Sequence, residues 1–307
     1  MLKSNSMVDF FERLGHKVIR TQSSWWYDVQ SGVFLTIPYY KEITPSEEEI
    51  GNLMKSEKLR ALRYPTTLDS LGFLSNITVN TNSNYDISSL HQKARNQTRR
   101  GLENCKVEQL DFDWLIDNGL PLNISTAKRQ GRESHYSNPI YWAKYCQAAK
   151  ATEGVSAWGA FIEDQLAAFL ISVTTENNWQ EWVVNHSLTQ LRNKYSNNAL
   201  SFTVAQQFLK NEKSNGICYG LGSLEETGQL DHFKSRMGWT VRPIKQRLIF
   251  SKKLKLVFSL AQEPSLKLLN MVFPKNYTVC KLTNMIRFYR QQTYNIPSET
   301  QGNNLKQ

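Results

Sequence analysis

The side chains best suited to proton transfer sit in one short stretch. From Glu181 to Ser187 the chain reads Glu-Trp-Val-Val-Asn-His-Ser. β-Branched and aromatic residues there predict a strand. Regular alternation places Glu181, Val183, Asn185 and Ser187 on one side, with Trp182, Val184 and His186 on the other. His186 is the first candidate for a general base, because an imidazole titrates near neutrality, and Glu181 is the second. Each has a structural alternative: a packed histidine at a strand end, and an exposed strand charge. A second group comprises Tyr219, Glu225, Glu226 and Asp231. The run Cys218-Tyr219-Gly220-Leu221-Gly222 puts glycines at a strand end and carboxylates in the following loop, where sites in α/β proteins collect. The same residues read equally well as a turn with a capped helix behind it. Cys218 has no basic partner fixed by spacing, which makes it a weak nucleophile.

Anion binding has its own signals. Ser196-Asn197-Asn198 is a good helix start, and Leu200, Val204 and Phe208 form an apolar stripe at four-residue spacing behind it. The first amides of such a helix have no partner within it and favour a negative group such as a phosphate. Further back, Arg95 and Arg99 lie one turn apart on a predicted helix and can face one anion; a solvated basic face is the alternative reading. A second basic cluster, Lys128, Arg129 and Arg132, falls in a predicted polar loop.

These groups need a frame to hold them. Trp158–Ile162 and Leu166–Val173 flank the polar turn Glu163-Asp164-Gln165 and predict a hairpin. Before them, Asp9–Leu14 predicts a short helix closed by Gly15. Strands are predicted at Lys17–Thr21, Gly32–Ile37, Leu59–Tyr64 and Asn76–Asn80, and a helix begins at Pro45-Ser46-Glu47. The aromatic run Trp25-Trp26-Tyr27 reads as packing rather than as a base-stacking platform. Asp86 predicts the cap of a helix over Ile87–Asn104, and Tyr141–Ala149 another. Lys252–Arg290 alternates apolar and basic residues and predicts helices broken at Pro264 and Pro274. That tail reads as a packed helical extension, with contact to a membrane surface as the alternative.

The chain has 307 residues, 40% hydrophobic and 21% charged, which suits roughly two domains with real cores. Its 37 basic and 27 acidic residues give a net charge of +10, which favours anionic partners. The four cysteines, Cys105, Cys146, Cys218 and Cys280, show neither zinc-ligand nor disulfide-framework spacing, so no metal site is expected. The opening residues lack the apolar core of a signal peptide, and no apolar run is long enough to span a bilayer. The expected location is cytoplasmic.

The order of strands, the helix opening at Ser196, the Gly220-Leu221-Gly222 turn, the ending Phe233-Lys234 to Gly238-Trp239, and the strand Val241–Phe250 together resemble the GNAT acyltransferase fold. They resemble in particular its tandem, FemAB-like form. The basic stretch Lys93–Gly101 followed by the Val107 segment resembles the family's Arg-rich helix at the end of the first half. The resemblance spans Ile19–Phe250. It implies an α/β (α+β) chain of two tandem GNAT-like domains, each a mixed, mostly antiparallel sheet flanked by helices. The expected boundaries are 1–140 for a degenerate first domain, 141–250 for a second, and 251–307 for a helical extension.

The resemblance also implies an acyl donor that splays two central strands and rests its pyrophosphate on the amides of Tyr195, Ser196, Asn197, Asn198 and Ala199, with Arg192 and Lys194 just before them to supply charge. Acyl-CoA, acetyl-CoA for instance, is the expected donor. Two departures stand out. Arg192–Asn197 holds no glycine where the family has a glycine-rich loop, and Lys234 stands where a tyrosine often donates a proton. FemAB-like proteins share these features, and some take their acyl group from aminoacyl-tRNA. The leading expectation is an acyltransferase acting on an amine of a sugar, amino acid or cell-envelope precursor, with the acceptor near Arg95, Arg99, Arg129 and Lys234. Glu225 and Tyr219 join His186 and Glu181 as catalytic candidates. The alternatives are tRNA-dependent aminoacyl transfer and a binding protein that kept the fold without the chemistry.

Overall fold

A computed structural model describes residues 5–131, 133–222, 228–260, 271–272 and 277–294 of the chain. In chain order the early elements are α1 (Ser6–Arg13), β1 (Val18–Arg20), β2 (Trp25–Gln30), β3 (Val33–Ile37), α2 (Glu47–Ser56), β4 (Ala61–Thr66) and β5 (Phe73–Asn80). The middle runs through α3 (Gln92–Asn104), β6 (Lys106–Leu110), α4 (Phe112–Gln130), α5 (Pro139–Lys150), β7 (Val155–Ile162), β8 (Gln165–Thr174) and β9 (Trp179–Ser187). Then come α6 (Ser196–Leu209), β10 (Gly216–Leu221), α7 (Gly228–Arg236), β11 (Thr240–Phe250), α8 (Lys252–Leu260) and α9 (Tyr277–Arg290). The GNAT-like α/β frame is therefore present: mixed sheets flanked by helices.

Contacts divide the chain into two units that interleave along the sequence. One gathers the described residues of Met1–His16, Thr78–Gly220 and Gly228–Val241; the other those of Lys17–Ile77, Leu221–Thr227 and Arg242–Gln307. In the second unit the strand order is β1-β2-β3-β4-β11-β5. Trp26, Phe34, Ile50, Leu53 and Leu62 form a core beneath α2, and Phe73, Leu248, Phe250, Phe258 and Ile286 form another against α8 and α9. The residues Trp25-Trp26-Tyr27 are part of β2, and Trp26 is wholly buried, as the packing reading expects. Pro264 and Pro274 lie outside the described residues.

The first unit carries every described residue that sequence reasoning singled out for chemistry. Its strands run β10-β9-β8-β7-β6. The hairpin forms as predicted: Ile162 pairs with Gln165, and Glu163 turns the chain with a left-handed φ of 53°. Strand β8 is buried almost end to end because helices cover both its faces. On one face α3 and α6 pack over Leu170, Trp182, Leu200 and Val204. On the other, α1, α4 and α5 bring Phe10, Trp142 and Tyr145 toward Phe169.

Two local expectations are corrected. Asp86 does cap backbone amides, but only those of a single 3-10 turn, Ile87–Ser89; α3 begins at Gln92, where the His91 ring accepts from the Lys93 amide. Lys128 and Arg129 belong not to a loop but to the last turn of α4. That helix continues through Pro121 because Leu115 and Leu122 are buried and Gly119 packs against Trp142. A β-carbon on Gly119 would stand 2.9 Å from that indole. Packing outweighs the missing proline amide there. The helix start at Ser196 forms as expected, with Tyr195 in left-handed conformation at the capping position before it. Cys105, Cys146 and Cys218 are buried free thiols, and no helix among the described residues is long and apolar enough to cross a membrane.

Candidate active site

The site is built on a fork between β9 and β10. These parallel strands pair at Trp179–Gly216, Gln180–Ile217 and Glu181–Cys218, and there the pairing stops. Strand β9 runs on to Ser187, still paired along its other edge to β8 as far as Ala168. Past Glu181, its free edge faces a gap.

A bulge decides which side chains look into each side of that gap. Ile171 of β8 pairs with Val184, but its neighbour Ser172 pairs with Trp182, so Val183 is an extra residue. Alternation therefore reverses at this point. Glu181, Val184 and His186 oppose Val173, Ile171 and Phe169 on one face, whereas Gln180, Trp182, Asn185 and Ser187 lie on the other. The strict alternation expected from sequence is overturned: His186 shares a face with Glu181, and Asn185 with Trp182.

On the Trp182 face the rings of Trp182, Tyr219 and Trp239 pack at centroid distances of 4.8 to 5.5 Å. Asn185 donates its side-chain amide to the Tyr219 hydroxyl at 2.9 Å. Lys234, nearly buried, donates its ammonium to the Tyr219 carbonyl at 3.1 Å and lies over the phenol ring. At the root of the fork Glu181 is fully buried beside Cys218. Burial, then the charge of Glu181, pushes the Cys218 thiol well above its ordinary range.

On the opposite face His186 is held between the rings of Phe169 and Tyr136, at 5.7 and 5.5 Å. Its Nδ1 meets Oδ1 of Asn123 on α4. One helical turn and a half further along α4, Arg129 donates to the carbonyl of Ser187 and the hydroxyl of Thr189, each at 3.0 Å. Burial first, and then the like charge of Arg192, lowers the pKa of this guanidinium. Two cations thus stand close together beside the entry to α6.

At that entry the amides of Asn198 and Ala199 already bond to the Tyr195 carbonyl. The amides with no partner among the described residues are those of Ser196 and Asn197. Asn197 donates its side-chain nitrogen to Ser187 Oγ at 3.1 Å, while its Oδ1 and the Ser196 hydroxyl are buried without a partner. The Asn198 side chain is turned inward onto the Met237 sulfur, and Ala199 is fully buried. Arg192 and Lys194 are exposed. The donor set is thus narrower than the five amides from Tyr195 to Ala199, and centred on Ser196 and Asn197.

The structure brings together Glu181, Tyr219 and Lys234 at the fork, and Arg129, Arg192 and Asn197 at the α6 entry. Arg95 donates to the carbonyls of Ser88 and Leu90, and Arg99 is exposed. Glu225 and Glu226 lie outside the described residues. Sequence reasoning missed Asn123 and Tyr136 because it did not recognise α4. The three-residue spacing of Asn123, Thr126 and Arg129, which all reach the β9 end or its neighbours, was the available signal.

No family model matches the chain, and neither does any curated protein. Solved structures do. FemX is 10% identical, with a TM-score of 0.59 over 85% of this chain and 94% of that one. The C-terminal domain of a putative lysylphosphatidylglycerol synthetase from Agrobacterium fabrum is 11% identical, with a TM-score of 0.54 over 85% and 92%. At such identities the likeness is one of fold: a FemAB-like, tandem GNAT-type architecture.

Proposed function

From a FemAB-like tandem-GNAT fold, we propose that this chain is an acyltransferase that moves an acyl group from a phosphate-bearing carrier to an amine. The fork after the Glu181–Cys218 pair carries this reading, because both strands lose their mutual hydrogen bonds immediately beside a helix entry with two unpartnered amides. The carrier supplies an activated acyl carbonyl. The amides of Ser196 and Asn197, with Arg129, Arg192 and Lys194, hold its phosphates. His186 takes the proton that the attacking ammonium must lose. Lys234 donates to the oxygen that gains negative charge as the C–N bond forms and the bond to the carrier breaks. Tyr219, fixed by Asn185, and Glu181 at the root shape the acyl end. Acceptors of the sugar, amino acid or cell-envelope precursor class follow from the FemAB-like resemblance, and Arg129 is the basic group best placed to meet them.

Two carriers fit this chemistry. Buried acceptors on Ser196 and Asn197 suit a group that also brings donors, and coenzyme A is one. The other is aminoacyl-tRNA, favoured by the net charge of +10 and the neighbouring Arg129 and Arg192. The putative lysylphosphatidylglycerol synthetase domain adds a phospholipid headgroup to the possible acceptors.

Titration calorimetry with acetyl-CoA and with aminoacyl-tRNA over a salt series tests the proposal. Saturable heat with either carrier, weakened by Arg129→Ala with Arg192→Ala, supports it; a steep salt dependence selects the tRNA form. No heat with either at millimolar acetyl-CoA and micromolar tRNA sinks it, and the packed cluster of Trp182, Tyr219 and Trp239 then marks a binding protein.

A further inference from the structure

The orientation of one buried amide determines which nitrogen of His186 can accept a proton. Asn123 is 0% exposed, and its two polar ends have different neighbours. Its Nδ2 donates to the backbone carbonyl of Tyr136 at 2.9 Å. A carbonyl accepts only, so the amide nitrogen must point there; the flipped amide would set oxygen against oxygen. Asn123 Oδ1 consequently faces His186 Nδ1. An amide oxygen also accepts only, so the hydrogen between them belongs to Nδ1. A neutral imidazole carries one hydrogen, which leaves the lone pair on Nε2.

We infer that Asn123 is a positioning residue that holds His186 as the Nδ1–H tautomer and reserves Nε2 as the proton acceptor. This rests on the reading of His186 as the base in acyl transfer. The arrangement is anchored at each step. The Tyr136 carbonyl belongs to a 3-10 turn closed by Ser137 N to Ser134 O and Asn138 N to His135 O, both at 3.0 Å. The imidazole plane is set by the Tyr136 and Phe169 rings packed edge-on against it. The titratable and charged groups near it are the phenol of Tyr136 from the turn, itself packed on Tyr145 of α5, Glu181 on the same strand face, and Arg129 from α4, which binds the adjacent Ser187 carbonyl.

The unmodified protein tests this without any ligand. With its five histidines labelled in nitrogen-15, long-range proton–nitrogen correlation reads the tautomer of each ring, and His186→Gln identifies the His186 signals by their loss. The expected pattern at alkaline pH is a protonated Nδ1 and a lone-pair Nε2; a protonated Nε2 overturns the inference. Asn123→Ala supplies a second reading, because without the amide oxygen nothing reserves the Nδ1 hydrogen and the ring shifts toward the Nε2–H tautomer. An unchanged Nδ1–H population in the folded variant also overturns it. The base reading fails differently: His186→Gln with undiminished turnover removes the base while the tautomer stays as measured.

Discussion

Asn185 reaches past the end of the β9–β10 pairing and donates its side-chain amide to the hydroxyl of Tyr219, so one side-chain bond spans the fork where the backbone bonds have stopped. The bond exists only because the extra residue Val183 turned Asn185 onto the face of Trp182. It also sits in the gap where the proposed reaction places the acyl group.

Burial of the Tyr219 phenol, which this contact only partly offsets, makes the protein sensitive to alkali. Burial pushes the Tyr219 phenol up to about 12, with the Asn185 bond pulling the other way, and burial likewise lifts Tyr64 to about 12. The folded chain holds these protons more tightly than the unfolded chain does. Their contribution is therefore full below pH ~10 and is lost as pH rises through about 12. Urea denaturation should show stability beginning to fall near pH ~9, as the thiols of Cys146 and Cys218 ionise in the unfolded chain, and falling more steeply above pH ~10 as the phenols follow. Tyr219→Phe should make that fall shallower, and Asn185→Ala should move the Tyr219 phenolate absorbance to still higher pH. A flat profile through pH ~12 would contradict the burial of both phenols.

Gly101 governs how closely α3 approaches the entry to α6. A β-carbon at position 101 would stand 2.6 Å from the Tyr195 carbonyl oxygen and 3.2 Å from Ala199 Cβ. Alanine would gain about 1 kcal/mol in helix preference. The clash with backbone costs more, roughly 1–3 kcal/mol. Gly101→Ala should therefore lower stability, by about 1 kcal/mol net, against the propensity rule. Because Tyr195 O holds the amides of Asn198 and Ala199, the same variant should weaken carrier binding. Chemical denaturation and calorimetry of the purified variant read both effects.

In the other unit Lys245 is 0% exposed and its ammonium donates to three carbonyls, those of Ser70 at 3.1 Å and of Thr293 and Tyr294 at 2.9 Å. Lys245→Met preserves much of the stem but strands three acceptors, so the expected loss is about 2–4 kcal/mol. Lys210→Met, at an exposed site, should change stability by less than ~0.5 kcal/mol. Equal effects for the two variants would show that the Lys245 ammonium holds nothing.

Much of this architecture was legible locally. The Glu163-Asp164 turn, the Leu200 and Val204 stripe of α6 and the Gly238-Trp239 ending are written in short-range spacing and composition, and the structure contains each of them. These signals depend on a few neighbouring residues, which is why they can be read along a chain. They also conveyed the resemblance that names the fold.

What only the tertiary structure decided was orientation and partnership. The bulge at Val183 arises from register with β8, so no reading of β9 alone could show that His186 and Asn185 face opposite ways. Helix α4 was not read from the sequence at all, and it runs through Gly119 and Pro121 because Gly119 packs against Trp142. Asn123 and His186 are 63 positions apart, and their bond depends on that helix lying over that strand. Residue types set which elements can form and which groups can exchange a proton. Burial against a distant partner sets which of those groups meet, because hydrogen bonds and close contacts act over a few ångströms whatever the separation in sequence.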